Sequence, residues 1–434
     1  MATNVATPLY QQLTAEFEAA RNSGSEAISA LRNNAFSFFR EKGFPSIREE
    51  DWRFTNLVPF LDVPLEFTPA PVSEEELKKA VETNLIPELD GYRLVLVNGS
   101  INKNLSVLPE GDNLTVQPLK NISDSESFRE LTRYKDGVGG NSLVALNTAL
   151  FSDGYYIEVK KNAEIDKPVL LLHIYTCGQN TFVQPRHMLV ANPSSKIELV
   201  ERSVVLKQDS VFVANSVCEI VVKENARVSQ YLIQYNQKNE RWLNYTHVNQ
   251  ARSSRYDNYT VTLPGSDLVR NNLDVSLNGT TTESHLYGLY LVAGNQVTDN
   301  HTAVHHIHPN CQSNELYKGV IKDSGKAVFN GKVYVEKEAQ QTNAYQQNNN
   351  LLLSDKAQVY AKPQLEIFAD DVKCSHGCTI GQFNPESLFY LRSRGIGEEA
   401  SRKLLIEAFA FDIIDKFGNE AVKNYVRELL YANL

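Results

Sequence analysis

Apolar and polar positions along the 434-residue chain follow three successive patterns. Apolar side chains recur with helical spacing over residues 1–90, form short strand-like runs over 91–383, and return to helical spacing over 384–434. We therefore predict an N-terminal helical region, a central β domain and a C-terminal helical domain. The predicted fold class is mainly β.

Local signals mark the ends of several predicted helices. A first helix breaks at residues 22–24, and Ser25 is placed to cap a second helix, which Gly43 ends. Ser73, with Glu76 three positions later, predicts a capping box at the start of a further short helix.

The central part begins with a predicted strand at Tyr92–Val97. It continues as many short apolar runs, separated by turns rich in Asn, Asp, Gly and Ser. Asn348–Asn350, directly before Leu351–Leu353, has the composition of such a turn. The block is longer than a single β-sandwich. No strict internal repeat is visible, so stacked solenoid coils and a pair of sandwiches both remain open.

The C-terminal spacing predicts three helices, over 385–394, 397–417 and 419–432. The second helix carries an apolar stripe formed by Leu404, Leu405, Ala408, Phe411 and Ile414. Such a stripe usually packs on the chain's own β domain, and less often it binds another protein. The pattern alone leaves both roles open.

Composition narrows the classes of function. The net charge of −9 gives no electrostatic basis for binding nucleic acid. No apolar run approaches the roughly 20 residues of a membrane-spanning helix, and the N-terminus lacks a signal-peptide pattern. The 5 cysteines are unevenly spaced and argue against a disulfide framework. We expect a cytoplasmic protein with neither a membrane nor a nucleic-acid partner.

Candidate metal-ligating side chains are concentrated in residues 370–378, which contain Cys374, His376, Cys378 and two aspartates. Thiolate and imidazole ligands suit iron or zinc. Three residues separate the two thiols, where a zinc ribbon has two, and no second pair follows. The segment cannot close a four-ligand site, so either a partner chain completes the site or these are ordinary turn residues.

A second group of histidines comprises His301, His305, His306 and His308. On a strand, His306 and His308 face one way, whereas His301 and His305 face the other. The four rings therefore do not converge on one metal, and we interpret them as structural histidines.

Common catalytic motifs are missing from the sequence. It has no Gly-x4-Gly-Lys-Ser/Thr phosphate-binding loop, no Gly-x-Gly-x-x-Gly dinucleotide motif and no Gly-x-Ser-x-Gly nucleophile elbow. Nothing in it commits the chain to ATP hydrolysis or to any other turnover.

Several stretches together resemble the SufB/SufD family of iron–sulfur cluster assembly proteins. They are PQLEIFADDVKCSHGCTIG at Pro363–Gly381, KAVFNGKVYV at Lys326–Val335, NNNLLLS at Asn348–Ser354, LFYLRSRGI at Leu388–Ile396, NTALFSDGYYIEV at Asn147–Val159 and EEDWRFTNL at Glu49–Leu57. The intact Cys-Ser-His-Gly core, and a first cysteine only at Cys177, are similar to the SufD branch. A SufB-type paralogue is the alternative.

The resemblance implies a right-handed parallel β-helix between two helical regions. It also implies a non-catalytic scaffold subunit that pairs with a SufB paralogue through the β-helix. The C-terminal helices, with the apolar stripe, would bind the ABC-type ATPase SufC, which hydrolyses the ATP.

In this family the site at the SufB interface maps onto His376 and Cys374, whereas no role maps onto Cys378. The cargo would be a transient iron–sulfur cluster, or iron, shared with SufB. We expect no cofactor bound tightly to the isolated chain, which should pair with a second copy. Reduced flavin in the full complex is left open. The rival class is a β-helix enzyme acting on polysaccharides, which the absence of an export signal disfavours.

Overall fold

The computed structural model describes residues 8–21, 26–122, 141–207 and 209–434. The predicted helix break at 22–24 and the Ser25 cap lie outside these ranges. Helices α1 to α8 span Pro8–Ala20, Glu26–Lys42, Val58–Leu61, Glu74–Thr83, Ser142–Leu150, Pro385–Ser393, Glu398–Ile414 and Glu420–Ala432, with 3₁₀ turns at Glu50–Trp52 and Leu119–Ile122. None of these helices has both the length and the apolarity needed to cross a bilayer, within the ranges described.

The strands occupy the middle of the chain. Strands β1 to β20 span Tyr92–Val97, Ser100–Ile101, Leu114–Pro118, Tyr155–Val159, Val169–Cys177, Thr181–Val183, Arg186–Ala191, Lys196–Lys207, Phe212–Val222, Arg227–Gln234, Glu240–Gln250, Arg255–Thr262, Leu268–Leu277, Glu283–Val292, Val297–His306, Gln312–Ile321, Lys326–Val335, Thr342–Leu352, Gln358–Ile367 and Val372–Gly381.

From β7 onward, successive strands alternate between two sheets, so each coil contributes one strand to each. Sheet 1 runs in the order β2-β1-β5-β8-β10-β12-β14-β16-β18-β20, and sheet 2 in the order β3-β4-β7-β9-β11-β13-β15-β17-β19. Neighbours from β7 on are parallel: Arg241 lies beside Leu268, 27 residues later, and Lys326 beside Gln358, 32 residues later. The predicted β-solenoid is therefore confirmed, and the pair of sandwiches is wrong.

One corner of the solenoid shows a repeat in backbone conformation that is not visible as a repeat in the sequence. A left-handed residue, with φ between 56° and 62°, stands there in successive coils at Ser194, Asn225, Ser253, Thr281, Asn310 and Gln341. Each donates its backbone N–H to a carbonyl of the following coil, as Ser253 does to Thr280 at 2.9 Å. Short polar side chains tolerate this backbone conformation and keep the corner in contact with water.

The N-terminal helices cover the outer face of sheet 2. Leu13 and Phe39 pack in one apolar cluster with Leu243 and Leu268 from the strands. Buried polar contacts add to this packing: the guanidinium of Arg270 lies 3.7 Å above the ring of Trp52.

The C-terminal helices cover the outer face of sheet 1. Ile406 and Ile413 of α7 pack in one cluster with Tyr231 and Val261 of the strands. Lys318, on β16, donates a hydrogen bond of 3.0 Å to the carbonyl oxygen of Phe409. The outer faces of both sheets are thus covered by helices, whereas no further coil covers the last coil, formed by β19 and β20.

Several local predictions are confirmed. Tyr92–Val97 is a strand, and Gly43 follows α2 with φ of 72°. The capping box at Ser73 is complete: its side chain accepts a hydrogen bond from the backbone N–H of Glu76, and the Glu76 carboxylate accepts from the backbone N–H of Ser73.

The turn predicted at Asn348–Asn350 is wrong, because these residues continue β18. Asn348 and Asn350 are buried between the sheets, and both bond the hydroxyl of Tyr290, at 2.9 and 2.7 Å. Buried amides are stable in a strand when the interior supplies such partners, and the partner here lies two coils away.

The histidines of β15 take the sides predicted for them. His301 and His305 point outward, where they lie 2.9 Å from Asp299 and 3.4 Å from Asp274. His306 is fully buried and hydrogen-bonded to Ser313 at 2.8 Å. His308 lies beyond the end of the strand and is exposed.

Candidate functional site

The solenoid ends in two edge strands. Among the described strands, β20 pairs with β18 alone, and β19 pairs with β17 alone. Each therefore presents a row of backbone groups that a further strand could pair with. Pro363, on β19, has no N–H to donate, and proline is tolerated in a sheet at such an edge.

The register determines where the ligand-type side chains of β20 point. Cys374 lies beside Ala344, His376 beside Gln346, and Cys378 beside Asn348. Ala344, Gln346 and Asn348 all point into the solenoid and are buried. Side chains in register on neighbouring parallel strands point the same way. The two thiols and the imidazole consequently line the open interior of the last coil.

Because no further coil covers them, these side chains can be reached from outside. His376 and Cys378 are exposed, and Cys374 is partly buried. Partial burial raises the pKa of both thiols, Cys374 and Cys378, above the ordinary value. Both are therefore mostly protonated at neutral pH until a metal or a cationic partner group approaches.

The set of ligands at this end is incomplete. In the part of the chain that the structure describes, no three His, Cys, Asp or Glu side chains are close enough to hold one metal ion. Thiol and imidazole donors suit a soft or borderline metal such as iron. A metal ion bound here would therefore need further ligands.

Apolar side chains surround the same end. Ile380 is 48% exposed, Phe368 56% and Tyr345 46%. Together with the two unpaired strand edges, this surface has the features of a protein–protein contact.

The predicted apolar stripe on α7 is divided by the fold. Leu404, Ala408 and Phe411 are exposed and Leu405 is partly buried, whereas Ile414 is 1% exposed. The residues that anchor α7 to sheet 1 are Ile406, Ala410, Ile413 and Ile414. Ile414 thus belongs to the chain's own core and cannot contact a partner directly, because it lies against the strands.

The exposed part of the stripe adjoins α6, whose residues are all at least partly exposed. Phe389 is 74% exposed, Leu404 44% and Phe411 41%. We call the set Phe389, Leu404, Ala408 and Phe411 the outer helix face.

Two polar residues behind the open end were not predicted from the sequence. Glu315 on β16 and Gln346 on β18 are 4% and 3% exposed, and Gln346 Nε2 donates to the Glu315 carboxylate at 2.8 Å. Burial raises the pKa of Glu315 to about 7, although hydrogen bonds from Thr302 and Gln346 lower it. Glu315 follows Ser313 and Asn314 and precedes Leu316, which is no signal of burial, and only the coil register shows what it faces.

The fold and the site together define a β-solenoid protein with an uncapped end, whose last strand carries thiol and imidazole side chains. Comparison with known families identifies the class further. The model of the SufBD core domain, described as SUF system FeS cluster assembly, matches residues 173–409, and that of the SufBD N-terminal region matches residues 5–171. The chain belongs to the SufBD family of iron–sulfur cluster assembly proteins.

Individual relatives are similar to this chain over most of its length. An iron–sulfur cluster assembly SufBD family protein of Synechocystis is 32% identical over 97% of this chain and 95% of its own length. The iron–sulfur cluster assembly protein SufD of Escherichia coli is 30% identical over 88% of each chain. The chloroplastic protein ABCI7 of Arabidopsis thaliana is 29% identical over 97% of this chain and 90% of its own.

Proposed function

We propose that this chain is the SufD-type scaffold subunit of a complex that builds iron–sulfur clusters and transfers them. It pairs with a SufB-type paralogue through the open end of its solenoid and hydrolyses no ATP itself. One observation carries the proposal: thiol and imidazole side chains line an uncapped coil, and among the described residues no three groups of this kind are close enough to hold a metal ion.

An incomplete site fits the task of a scaffold. A nascent cluster held by a full set of protein ligands would be released slowly, whereas a set shared between two subunits opens when they move apart. His376 supplies an imidazole and Cys374 a thiolate, and the partner supplies the rest. The transient cluster or its iron is the cargo of this site.

The outer helix face is the proposed docking surface for the ABC-type ATPase. Its apolar side chains are exposed on α6 and α7, and α7 packs on sheet 1. A push on α7 would be transmitted to the strands through packed side chains such as Ile406 and Ile413. Leu404, Leu405, Ala408 and Phe411 contribute contacts, and Ile414 supports the helix from below.

Further expectations complete the proposal. The isolated chain pairs with a second copy through the same open end, because the edge strands and nearby apolar side chains are otherwise exposed. The complex works in the cytoplasm, and the isolated chain holds no tightly bound cofactor. Reduced flavin, if used, binds to the full complex.

SufD-named relatives from two bacteria favour this branch over a SufB-type paralogue. The family assignment leaves the polysaccharide-enzyme alternative without support.

The first experiment isolates the tagged chain from its native host and identifies the proteins that co-elute. Recovery of an ABC-type ATPase together with a paralogous β-solenoid protein supports the proposal. Recovery of the chain alone, at native expression and low salt, contradicts it.

The second experiment measures cluster formation by the reconstituted complex, using the visible absorbance of the bound cluster. His376→Ala and Cys374→Ala should form the complex and lose most of the cluster signal. His308→Ala, which removes an exposed histidine that is not on β20, is the matched control. Normal cluster formation by both site variants would refute the assignment of the site.

The third experiment tests the outer helix face with Phe411→Asp, which places a charge on an exposed apolar position. Binding to the ATPase should weaken at least tenfold, because an apolar contact then buries a carboxylate. Val107→Asp, at a position 53% exposed and outside the C-terminal helices, is the control. Equal affinity of both variants would remove this face from the interface.

A further inference from the structure

Three polar side chains stand in a row inside the open end of the solenoid. Glu315 on β16 is in register with Gln346 on β18, which is in register with His376 on β20. The three side chains point to the same side, from the buried interior outward to the exposed imidazole.

Hydrogen bonds orient the inner two members of this row. The Glu315 carboxylate accepts hydrogen bonds from Thr302 Oγ1 and from Gln346 Nε2. Because Nε2 of Gln346 donates to Glu315, the orientation of the amide is defined and its Oε1 is left to accept elsewhere. This Oε1 is buried and, among the residues that the structure describes, has no hydrogen-bond partner.

The opposite sheet makes room for the amide. Gly331, on β17, lies so close that a Cβ at this position would stand 2.4 Å from Gln346 Nε2. The glycine therefore allows the glutamine to lie flat between the sheets. A buried acceptor without a donor is costly, so a donor within reach is expected.

We propose that Gln346 is a positioning residue for His376: its Oε1 accepts a hydrogen bond from an imidazole N–H, and Glu315 holds the amide in place. Neighbouring strands are about 4.8 Å apart, so a change of His376 rotamer brings the ring into reach. One ring nitrogen then donates to Gln346, and the other faces the open end as a ligand. The inference rests on the proposed role of His376 and adds the groups that select its tautomer.

The test follows the ring nitrogens of the histidines in the full-length chain by NMR at one alkaline pH, where an imidazole is neutral, with His376→Gln to assign the His376 signals. In the wild type, the two ring nitrogens of His376 should show one dominant tautomer, because one N–H donates to Gln346. Gln346→Asn, which withdraws the acceptor by one methylene, should shift His376 toward a mixture of the two tautomers. Glu315→Gln, which weakens the acceptor that holds the amide, should shift it in the same direction.

Two internal controls accompany these variants. Tyr345→Phe alters the opposite face of β18 and should leave the His376 ring-nitrogen shifts unchanged, and the exposed His308 reports on general folding. If one variant does not fold, the other still tests the same hydrogen bond. His376 ring-nitrogen shifts identical in the wild type and in a folded Gln346→Asn or Glu315→Gln would overturn the inference.

Because the measurement uses the chain alone, it fails or succeeds independently of cluster assembly. A dominant His376 tautomer that Gln346→Asn disturbs, together with normal cluster formation by His376→Ala, would keep the hydrogen bond and refute the proposed function instead.

Discussion

Replacing Asp299 with alanine removes the carboxylate that ties the N-terminal region to sheet 2. Asp299 is fully buried on β15, where it accepts hydrogen bonds from Arg270 and, at 2.5 Å, from Thr55 Oγ1. Arg270 is 2% exposed and lies over Trp52. Without Asp299 the guanidinium stays buried and has lost its counter-ion.

The expected cost follows from this geometry. Removing one partner of a buried ion pair destabilises a protein by about 3–5 kcal/mol, because the other charge stays desolvated. The orphaned Thr55 hydroxyl adds about 1 kcal/mol. We expect Asp299→Ala to lower the free energy of unfolding by about 4–6 kcal/mol. With a denaturant slope of about 3 kcal/mol/M, the urea midpoint should fall by about 1.3–2 M.

The pH dependence provides an independent check. Burial raises the pKa of Asp299, but Arg270 and His301 lower it more, so its pKa lies well below the ordinary value. A carboxyl with a depressed pKa stabilises the folded state above its unfolded pKa of about 4. The difference between wild type and Asp299→Ala should thus be constant from pH 8 to pH 5 and shrink only in stronger acid.

The assay is urea unfolding followed by tryptophan fluorescence, which reports on Trp52 and Trp242. Arg270→Met combined with Asp299→Leu removes both charges and should recover most of the lost stability. A loss below about 1 kcal/mol for Asp299→Ala, or a double variant as unstable as the single one, would refute this account of the ion pair.

Three further predictions concern the solenoid interior. Gly319→Ala should destabilise the chain by at least about 1–3 kcal/mol in thermal unfolding, because its Cβ would lie 2.1 Å from the Tyr290 ring. The control, Gly381→Ala, should be neutral, because no atom lies within 4 Å of its Cβ. Equal effects of the two variants would contradict the packing around Gly319. The free energy of unfolding of Glu315→Gln, relative to the wild type, should rise by about 2–4 kcal/mol between about pH 4.5 and 7. The reason is that the wild type loses stability in this range, where its buried carboxyl with a raised pKa is deprotonated. A difference independent of pH would exclude the raised pKa. His306, with its pKa lowered to about 3, should destabilise the folded chain as the pH falls from about 6.5 towards 3, because the unfolded chain takes up the proton first. His306→Gln should therefore flatten the dependence of the urea midpoint on pH in this range. An unchanged dependence would contradict the lowered pKa.

Local chemistry made the helix ends and the ligand segment predictable. The Ser73–Glu76 capping box and the left-handed Gly43 need only neighbouring backbone groups, so their sequence signals are sufficient. The concentration of Cys374 and His376 in one short segment likewise marks candidate ligands without any knowledge of the fold. Full-length resemblance to a family supplied the solenoid, which periodicity alone left open.

The tertiary structure decided everything that depends on which coil lies beside which. Strand partners stand 27 to 32 residues apart, and the repeat that aligns them is a backbone conformation shared by Ser, Asn, Thr and Gln. Asn348–Asn350 has the composition of a turn, yet it is a buried strand because Tyr290, two coils earlier, bonds its amides.

Tertiary contacts also decided which residues of α7 are buried and which residues lie next to His376. Helical spacing identifies an apolar stripe, but only docking on sheet 1 buries Ile414 and leaves Leu404 and Phe411 exposed. Glu315, Gln346 and His376 are far apart along the chain and adjacent across the sheet. The sequence determined which residues carry ligand-type or charged side chains. The stacking of coils determined their neighbours, because parallel pairing joins segments that are distant along the chain.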